Sequence, residues 1–102
     1  MLFHTQRRID PQALRLLYDQ ESWWPDRSLD AIGEVLERDL ALGAWDGDTL
    51  IGFARAVSDG QFRAYIEDFI VHQDYRRRGI AVQMLTQLMG ALRHIETVSL
   101  FL

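Results

Sequence analysis

The last third of the chain constrains the fold most, because its pattern predicts a strand, a basic loop, a helix and another strand. Residues 64–71 (AYIEDFIV) are an apolar run interrupted by two adjacent carboxylates. The helix expected from about Gly79 to Arg93 has apolar side chains three or four residues apart, namely Ala81, Met84, Leu85, Leu88 and Leu92. Residues 97–102 predict a last strand. Two strands joined through one helix lie parallel, so we expect a layered α/β or α+β domain.

Two helices are expected near the start of the chain, after a short strand at residues 2–5. Asp10 followed by Pro11 is typical of an N-cap and first helical position, and this helix should run to about Gln20. Ser28 is a plausible cap for the second helix. Its expected apolar face holds Ile32, Val35, Leu36 and Leu40, and Gly43 is expected to end it.

A hairpin is predicted over residues 44–57, with its turn at residues 46–48 (DGD). The predicted order is therefore strand, helix, helix, three strands, helix, strand. A chain of 102 residues without a linker or repeat is expected to form one domain, residues 1–102.

The composition excludes several kinds of chemistry. The chain has no cysteine and no lysine, so thiolate nucleophiles and Schiff-base chemistry are excluded. His4, His72 and His94 lack metal-ligand spacing, so no metal site is expected. The net charge of −4 is unfavourable for generic nucleic-acid binding. No apolar run approaches the roughly 20 residues that span a bilayer, and a cytoplasmic location is expected.

The loop at residues 76–81 (RRRGIA) leads directly into the expected helix. Unpaired N–H groups and the dipole at a helix start favour an anion such as phosphate. Gly79 has no Cβ and lets a ligand approach the main chain closely. Two alternatives remain open from the residues alone: a solvated arginine-rich helix start, and a contact for nucleic acid.

Residues 76–81 also match a known signature: arginine or glutamine, two residues, glycine, one residue, then glycine or alanine. The chain resembles the GNAT superfamily of acyl-CoA-dependent N-acyltransferases. Residues 66–75 are similar to the family's fourth strand and the connection that follows it, and the whole predicted element order agrees. The resemblance therefore implies a GNAT-like mixed sheet over essentially the whole chain.

The resemblance implies an acetyl-CoA site. Backbone amides around Arg77 to Ala81 would hold the pyrophosphate, and the pantetheine arm would pair with the end of the fourth strand where it splays from the fifth. The implied coenzyme A residues are Phe69, Ile70, Val71, Arg76, Arg77, Arg78, Gly79, Ile80 and Ala81.

The catalytic base implied by the resemblance is Glu67, which would take a proton from the acceptor amine directly or through water. Strand alternation is expected to point Glu67 and Asp68 to opposite faces, leaving Asp68 structural or ligand-orienting. The alternative is that both carboxylates merely pair with arginines. Trp23 and Trp24 are expected to line the acceptor site, although either of them could equally fill the core.

The chain stops where the family's fifth strand is expected, whereas the family usually continues with a helix and two strands. That region often supplies a tyrosine acid, and none of Tyr18, Tyr65 and Tyr75 maps onto this role. Three explanations are open: a fragment of a longer protein, a sheet completed in a homodimer, or a reduced module. The first two together are preferred over the third.

The function expected is transfer of an acetyl group from acetyl-CoA to a primary amine of a small molecule or a protein. Without cysteine, the amine would attack directly. The alternative is a non-catalytic acyl-CoA-binding or interaction module of the same fold. A third interpretation is a DNA-binding helix after a basic loop. The acidic net charge and the apolar face of the helix argue against it.

Overall fold

The computed structural model describes residues 2–21 and 26–100. They form, in chain order, strand β1 (Leu2–His4), helices α1 (Pro11–Tyr18) and α2 (Leu29–Arg38), strands β2 (Leu40–Asp46), β3 (Thr49–Ser58) and β4 (Arg63–Val71), a 3-10 turn (Gln73–Tyr75), helix α3 (Ile80–Ala91) and strand β5 (Thr97–Leu100).

The five strands form one mixed sheet in the order β1-β2-β3-β4-β5. Each neighbouring pair is antiparallel except β4 and β5, which run parallel with Ala64 opposite Val98. The parallel pair follows from the connection through α3, as expected for a strand–helix–strand crossover. The predicted layered fold with a GNAT-like mixed sheet is confirmed.

Local capping explains where the first two helices begin. The Asp10 carboxylate accepts a hydrogen bond from the backbone N–H of Gln12 at 3.1 Å, and Pro11 occupies the first helical position. The Ser28 hydroxyl accepts from the backbone N–H of Ala31 at 3.1 Å. Among the residues described, no helix combines the length and the apolar character needed to cross a membrane.

The predicted end of the second helix is wrong. Helix α2 ends at Arg38, and Asp39 already has an extended backbone with ψ 149°. Leu40 belongs to β2 instead and pairs with Ala56 of β3. The helical spacing of apolar residues could not reveal this. The strand is stabilised by backbone hydrogen bonds to residues of β3 that lie more than a dozen positions further along the chain.

The sheet has an apolar core on each face. Helix α3 covers one face with Ile80, Met84 and Leu88, while α1 and α2 cover the other. Met84 of α3 packs directly against Gly52, where a Cβ would lie 2.7 Å from the Met84 sulfur and would require that side chain to shift. Ala81, expected on the apolar face of α3, is exposed, and the side chain of Ile80 is buried in its place.

Candidate functional site

A cleft of about 540 Å³ lies where β4 ends and α3 begins. Its lining contains every residue that the resemblance implied for coenzyme A except Arg78, together with Glu21, Tyr75 and Val82. The guanidinium of Arg78 lies over the ring of Tyr75 instead, 5.1 Å from its centroid. Strand end, connection and helix start thus converge on one surface depression.

The backbone at the mouth of this cleft has an uncommon conformation. Gly79 is the N-cap of α3 with φ 76°, and Arg77 is also left-handed with φ 65°. No side chain caps α3 at Gly79. The first N–H groups of a helix have no carbonyl partner within the helix, so those of Ile80 and Ala81 are suited to an anionic ligand. A Cβ placed on Gly79 would meet no atom of the described residues within 4 Å, so this part of the chain leaves the space beside it open.

Arg76 is held by the protein rather than left free for a ligand. Its Nε donates to the carbonyl of Val71 at 3.0 Å, and its Nη2 pairs with the carboxylate of Glu21. The side chain of Glu21 is only 11% exposed. Arg76 therefore joins the end of β4 to the segment after α1, and its charge is largely neutralised there.

The far end of β4 lies beyond its pairing with β5. That pairing joins residues 63–66 to residues 97–100, so in the part of the chain that the structure describes the β5 side of Glu67 to Val71 carries no ladder partner. Such an edge has backbone N–H and C=O groups available for an extended ligand. Phe69, Ile70 and Val71 at this edge also line the cleft.

A β-bulge in β4 overturns the expected orientation of the two carboxylates. Phe53 of β3 is opposite Ile70 and Arg55 is opposite Glu67, so Ala54 alone faces both Asp68 and Phe69. Asp68 takes φ 54° at this point. The extra residue interrupts the alternation of side chains along β4. Asp68 therefore contacts Arg55 on the sheet face on which Arg55 and Glu67 are opposite each other. The prediction of opposite faces is wrong, because simple alternation fails at a bulge.

Asp68 is the centre of a buried ionic network, with its side chain only 4% exposed. One carboxylate oxygen accepts from the Tyr18 hydroxyl at 3.0 Å, from Arg27 Nη1 at 2.6 Å and from Arg55 Nε at 2.7 Å. The other accepts from Arg27 Nη2 at 3.3 Å. Arg55 also donates through Nη1 to Asp39 at 2.7 Å. This network ties the end of α1, the two segments that flank α2, and β3 to the bulge.

The network shifts the ionisation of its members. Burial alone would raise the pKa of Asp68, but the hydrogen bonds and charges of Arg27 and Arg55 outweigh it and lower the pKa below its ordinary value. Burial, followed by the neighbouring Asp68 carboxylate, raises the pKa of Tyr18 well above its ordinary value. Asp68 is thus a permanent anion near neutral pH, and the Tyr18 hydroxyl keeps its proton.

Glu67 lies one residue before the bulge and is half-buried. In residues 2–21 and 26–100 its carboxylate has no hydrogen bond or ion pair, in contrast to Asp68. The expectation that both carboxylates pair with arginines therefore holds for Asp68 alone. Glu67 does not line the cleft, which begins two residues further along β4.

Trp23 and Trp24, which the sequence predicted at an acceptor site, lie outside the described residues. Tyr18 and Tyr75 both donate to carboxylates, Tyr75 to Asp46 at 2.6 Å. Over the described ranges, no three histidine, cysteine, aspartate or glutamate side chains are grouped as ligands for a metal ion.

Comparison with known proteins decides the family. The model of the acetyltransferase (GNAT) family matches residues 5–102. The chain belongs to the GNAT family. A relative named N-acetyltransferase ycf52-like, from Prochlorococcus marinus, is 30% identical over 98% of this chain and 59% of its own length. N-acetyltransferase ycf52 from Gracilaria tenuistipitata is 43% identical over 51% of this chain and 30% of its own length.

Solved GNAT structures share the fold. An acetyltransferase from Streptococcus pneumoniae superposes with a TM-score of 0.84 at 24% identity, over 99% of this chain and 74% of that one. An aminoglycoside 6'-N-acetyltransferase complexed with coenzyme A gives a TM-score of 0.75 at 22% identity, over 98% of this chain and 61% of that one. The chain spans from about a third to three fifths of the length of the curated relatives named above.

The ionic network was beyond sequence reasoning. The residues that resemble GNAT motifs lie within 66–81. Arg27 and Asp39 are 41 and 29 positions before Asp68 and belong to no recognised motif. A buried aspartate in an apolar strand does imply cationic partners, since buried charges are paired. Which of the eleven arginines supplies them depends on the tertiary structure.

Proposed function

We propose that this GNAT-family chain is an N-acetyltransferase that transfers an acetyl group from acetyl-CoA to a primary amine. The observation that carries the proposal is the cleft between β4 and α3, where an open strand edge meets an uncapped helix start. These two features suit the two parts of coenzyme A, an extended amide-containing arm and a pyrophosphate.

The pyrophosphate would accept hydrogen bonds from the backbone around Arg77 to Ala81. Gly79 supports this role, since its lack of a Cβ leaves open space beside the helix start. The pantetheine arm would add to the free edge of β4 at Phe69 to Val71. Because Arg76 is engaged by Val71 and Glu21, it contributes mainly by fixing the loop.

The amine nitrogen would attack the thioester carbonyl directly. A carbon–nitrogen bond forms, the carbon–sulfur bond breaks, the amine proton passes to Glu67 and coenzyme A leaves as the thiolate. Glu67 is suited to be the base because it is half-buried near the bulge, whereas the Asp68 carboxylate is already paired with Arg27 and Arg55. Trp23 and Trp24 remain proposed acceptor contacts.

The test is acetyl-CoA titration by calorimetry together with a thiol-release assay over a panel of amines. The panel should contain amino acids, polyamines, aminoglycosides and peptide amines, since the acceptor class is open. We expect saturable binding and release of one thiol for each acetylated amine, with the product confirmed by mass spectrometry. No binding at millimolar acetyl-CoA would refute the proposal.

A non-catalytic acyl-CoA-binding module is the second candidate. It is favoured by the engagement of Tyr18 and Tyr75, whose hydroxyls both donate to carboxylates rather than pointing to a departing thiolate. Binding of acetyl-CoA without thiol release for any amine, in both this chain and the longest available reading frame, would favour this candidate over the enzyme.

A cytoplasmic location and a homodimer are also part of the proposal. In the described part of the sheet β5 is an edge strand, and its Val98 and Leu100 are half-buried. An edge of this kind favours pairing with another chain. Size-exclusion chromatography with light scattering tests the dimer, and a monomer at all concentrations would contradict it.

A further inference from the structure

Glu67 has an oppositely charged cross-strand neighbour with which it does not pair. Arg55 of β3 is its register partner on the same face of the sheet. Directly opposite residues in an antiparallel pair have Cβ atoms about 4.5–5.5 Å apart, and opposite charges there normally attract. An ion pair between Arg55 and Glu67 is therefore the arrangement that the strand register alone would favour.

The guanidinium of Arg55 is instead held away by two aspartates. Its Nε donates to Asp68 at 2.7 Å and its Nη1 donates to Asp39 at 2.7 Å. The Arg55 side chain is only 17% exposed, so these contacts are shielded from water. In the described chain the Glu67 carboxylate is left without an ionic partner.

Asp39 and Asp68 differ in how many groups they hold. Asp68 sits in the bulge and also binds Tyr18 and Arg27. The ion pair and hydrogen bond of Asp39 both go to Arg55, and its side chain is 19% exposed. Asp39 is the C-cap of α2, directly before β2, which pairs with the strand that carries Arg55.

We propose that Asp39 is a positioning residue that, with Asp68, keeps Arg55 from pairing with Glu67. This inference rests on the proposed function, in which Glu67 takes the proton of the acceptor amine. A guanidinium paired with a carboxylate favours its charged form, so a paired Glu67 would be a weaker base. Arg55 of β3 is the cross-strand neighbour of Glu67. The charged and titratable groups linked to Arg55 are Asp68 from β4 and Asp39 after α2, and through Asp68 also Tyr18 from α1 and Arg27 before α2.

The test is Asp39→Asn in the full chain, compared with the double variant Asp39→Asn/Arg55→Gln. Asp39→Asn should lower kcat at least tenfold and change the KM for acetyl-CoA less than twofold. The double variant should restore kcat toward wild type, which a merely structural role of Asp39 would not allow. Asp48→Asn is the matched control, because it removes a carboxylate from the exposed Arg7 pair, whose atoms are 3.7 Å apart.

A second measurement does not depend on activity. The crystal structure of Asp39→Asn should show the Arg55 guanidinium within about 4 Å of the Glu67 carboxylate, as in an ion pair. An Arg55 side chain that does not reach Glu67 in this variant overturns the inference. If the contact forms while wild type acetylates no amine, the positioning of Arg55 stands and the proposed function fails.

Discussion

Replacing Gly79 by leucine separates the backbone strain at the helix start from ligand binding. Gly79 has φ 76°, a conformation that costs an L-residue about 1–2 kcal/mol. Within residues 2–21 and 26–100 nothing lies within 4 Å of a Cβ built there, so none of these residues has to move. For a domain of this size about 1 kcal/mol lowers Tm by roughly 4–8 °C. Gly79→Leu should therefore fold with a moderately lowered Tm.

Acetyl-CoA affinity should fall much more than this strain explains. The leucine side chain would fill the space beside the N–H groups of Ile80 and Ala81, where we propose the pyrophosphate binds. We expect at least a tenfold rise in Kd by calorimetry well below Tm, equivalent to about 1.4 kcal/mol or more.

The chain offers a matched control in Gly60. It also has positive φ, at 80°, and a Cβ there would likewise meet no described atom within 4 Å. It lies in the turn before β4, however, and outside the cleft. Gly60→Leu should lower Tm by a similar amount and leave acetyl-CoA affinity unchanged. Equal affinities for the two variants would refute the pyrophosphate site at Gly79.

Three further predictions concern the residues of β4 and their partners. Glu67→Gln should lower kcat by roughly 10²–10⁴-fold, as expected for loss of a general base, with the Kd of acetyl-CoA within twofold; a fully active variant would exclude Glu67 as the base. Tyr18→Phe should lower the free energy of unfolding by about 1 kcal/mol, because a buried hydrogen bond to Asp68 is lost; urea unfolding measures this, and an unchanged midpoint would contradict it. Asp68 has a lowered pKa in the folded protein, so its charge stabilises the fold above about pH 4, and that stabilisation is lost as pH falls through the lowered pKa. Between pH 5 and pH 2 the urea midpoint of wild type should therefore fall more steeply than that of Asp68→Asn, and parallel curves would count against the ionic network.

Much of the architecture was accessible from the sequence because it depends on local signals. The caps at Asp10 and Ser28 and the crossover through α3 follow from capping chemistry and chain connectivity. The end of α2 was not accessible, since Leu40 fits the helical apolar pattern as well as it fits a strand. Leu40 belongs to β2 because it pairs with Ala56 of β3.

The sequence by itself indicated which loop and helix start form the candidate coenzyme A site, because the GNAT signature that implies this site lies in the contiguous residues 76–81. Only the tertiary structure decided how the carboxylates of β4 are used. The bulge at Asp68 turns it onto the face of Glu67. Arginines from distant segments then bind Asp68, while Glu67 has no ionic partner in the part of the chain that the structure describes. The physical reason is that a bulge and a buried ion pair are both set by the partners that folding brings together, and these are far apart along the chain.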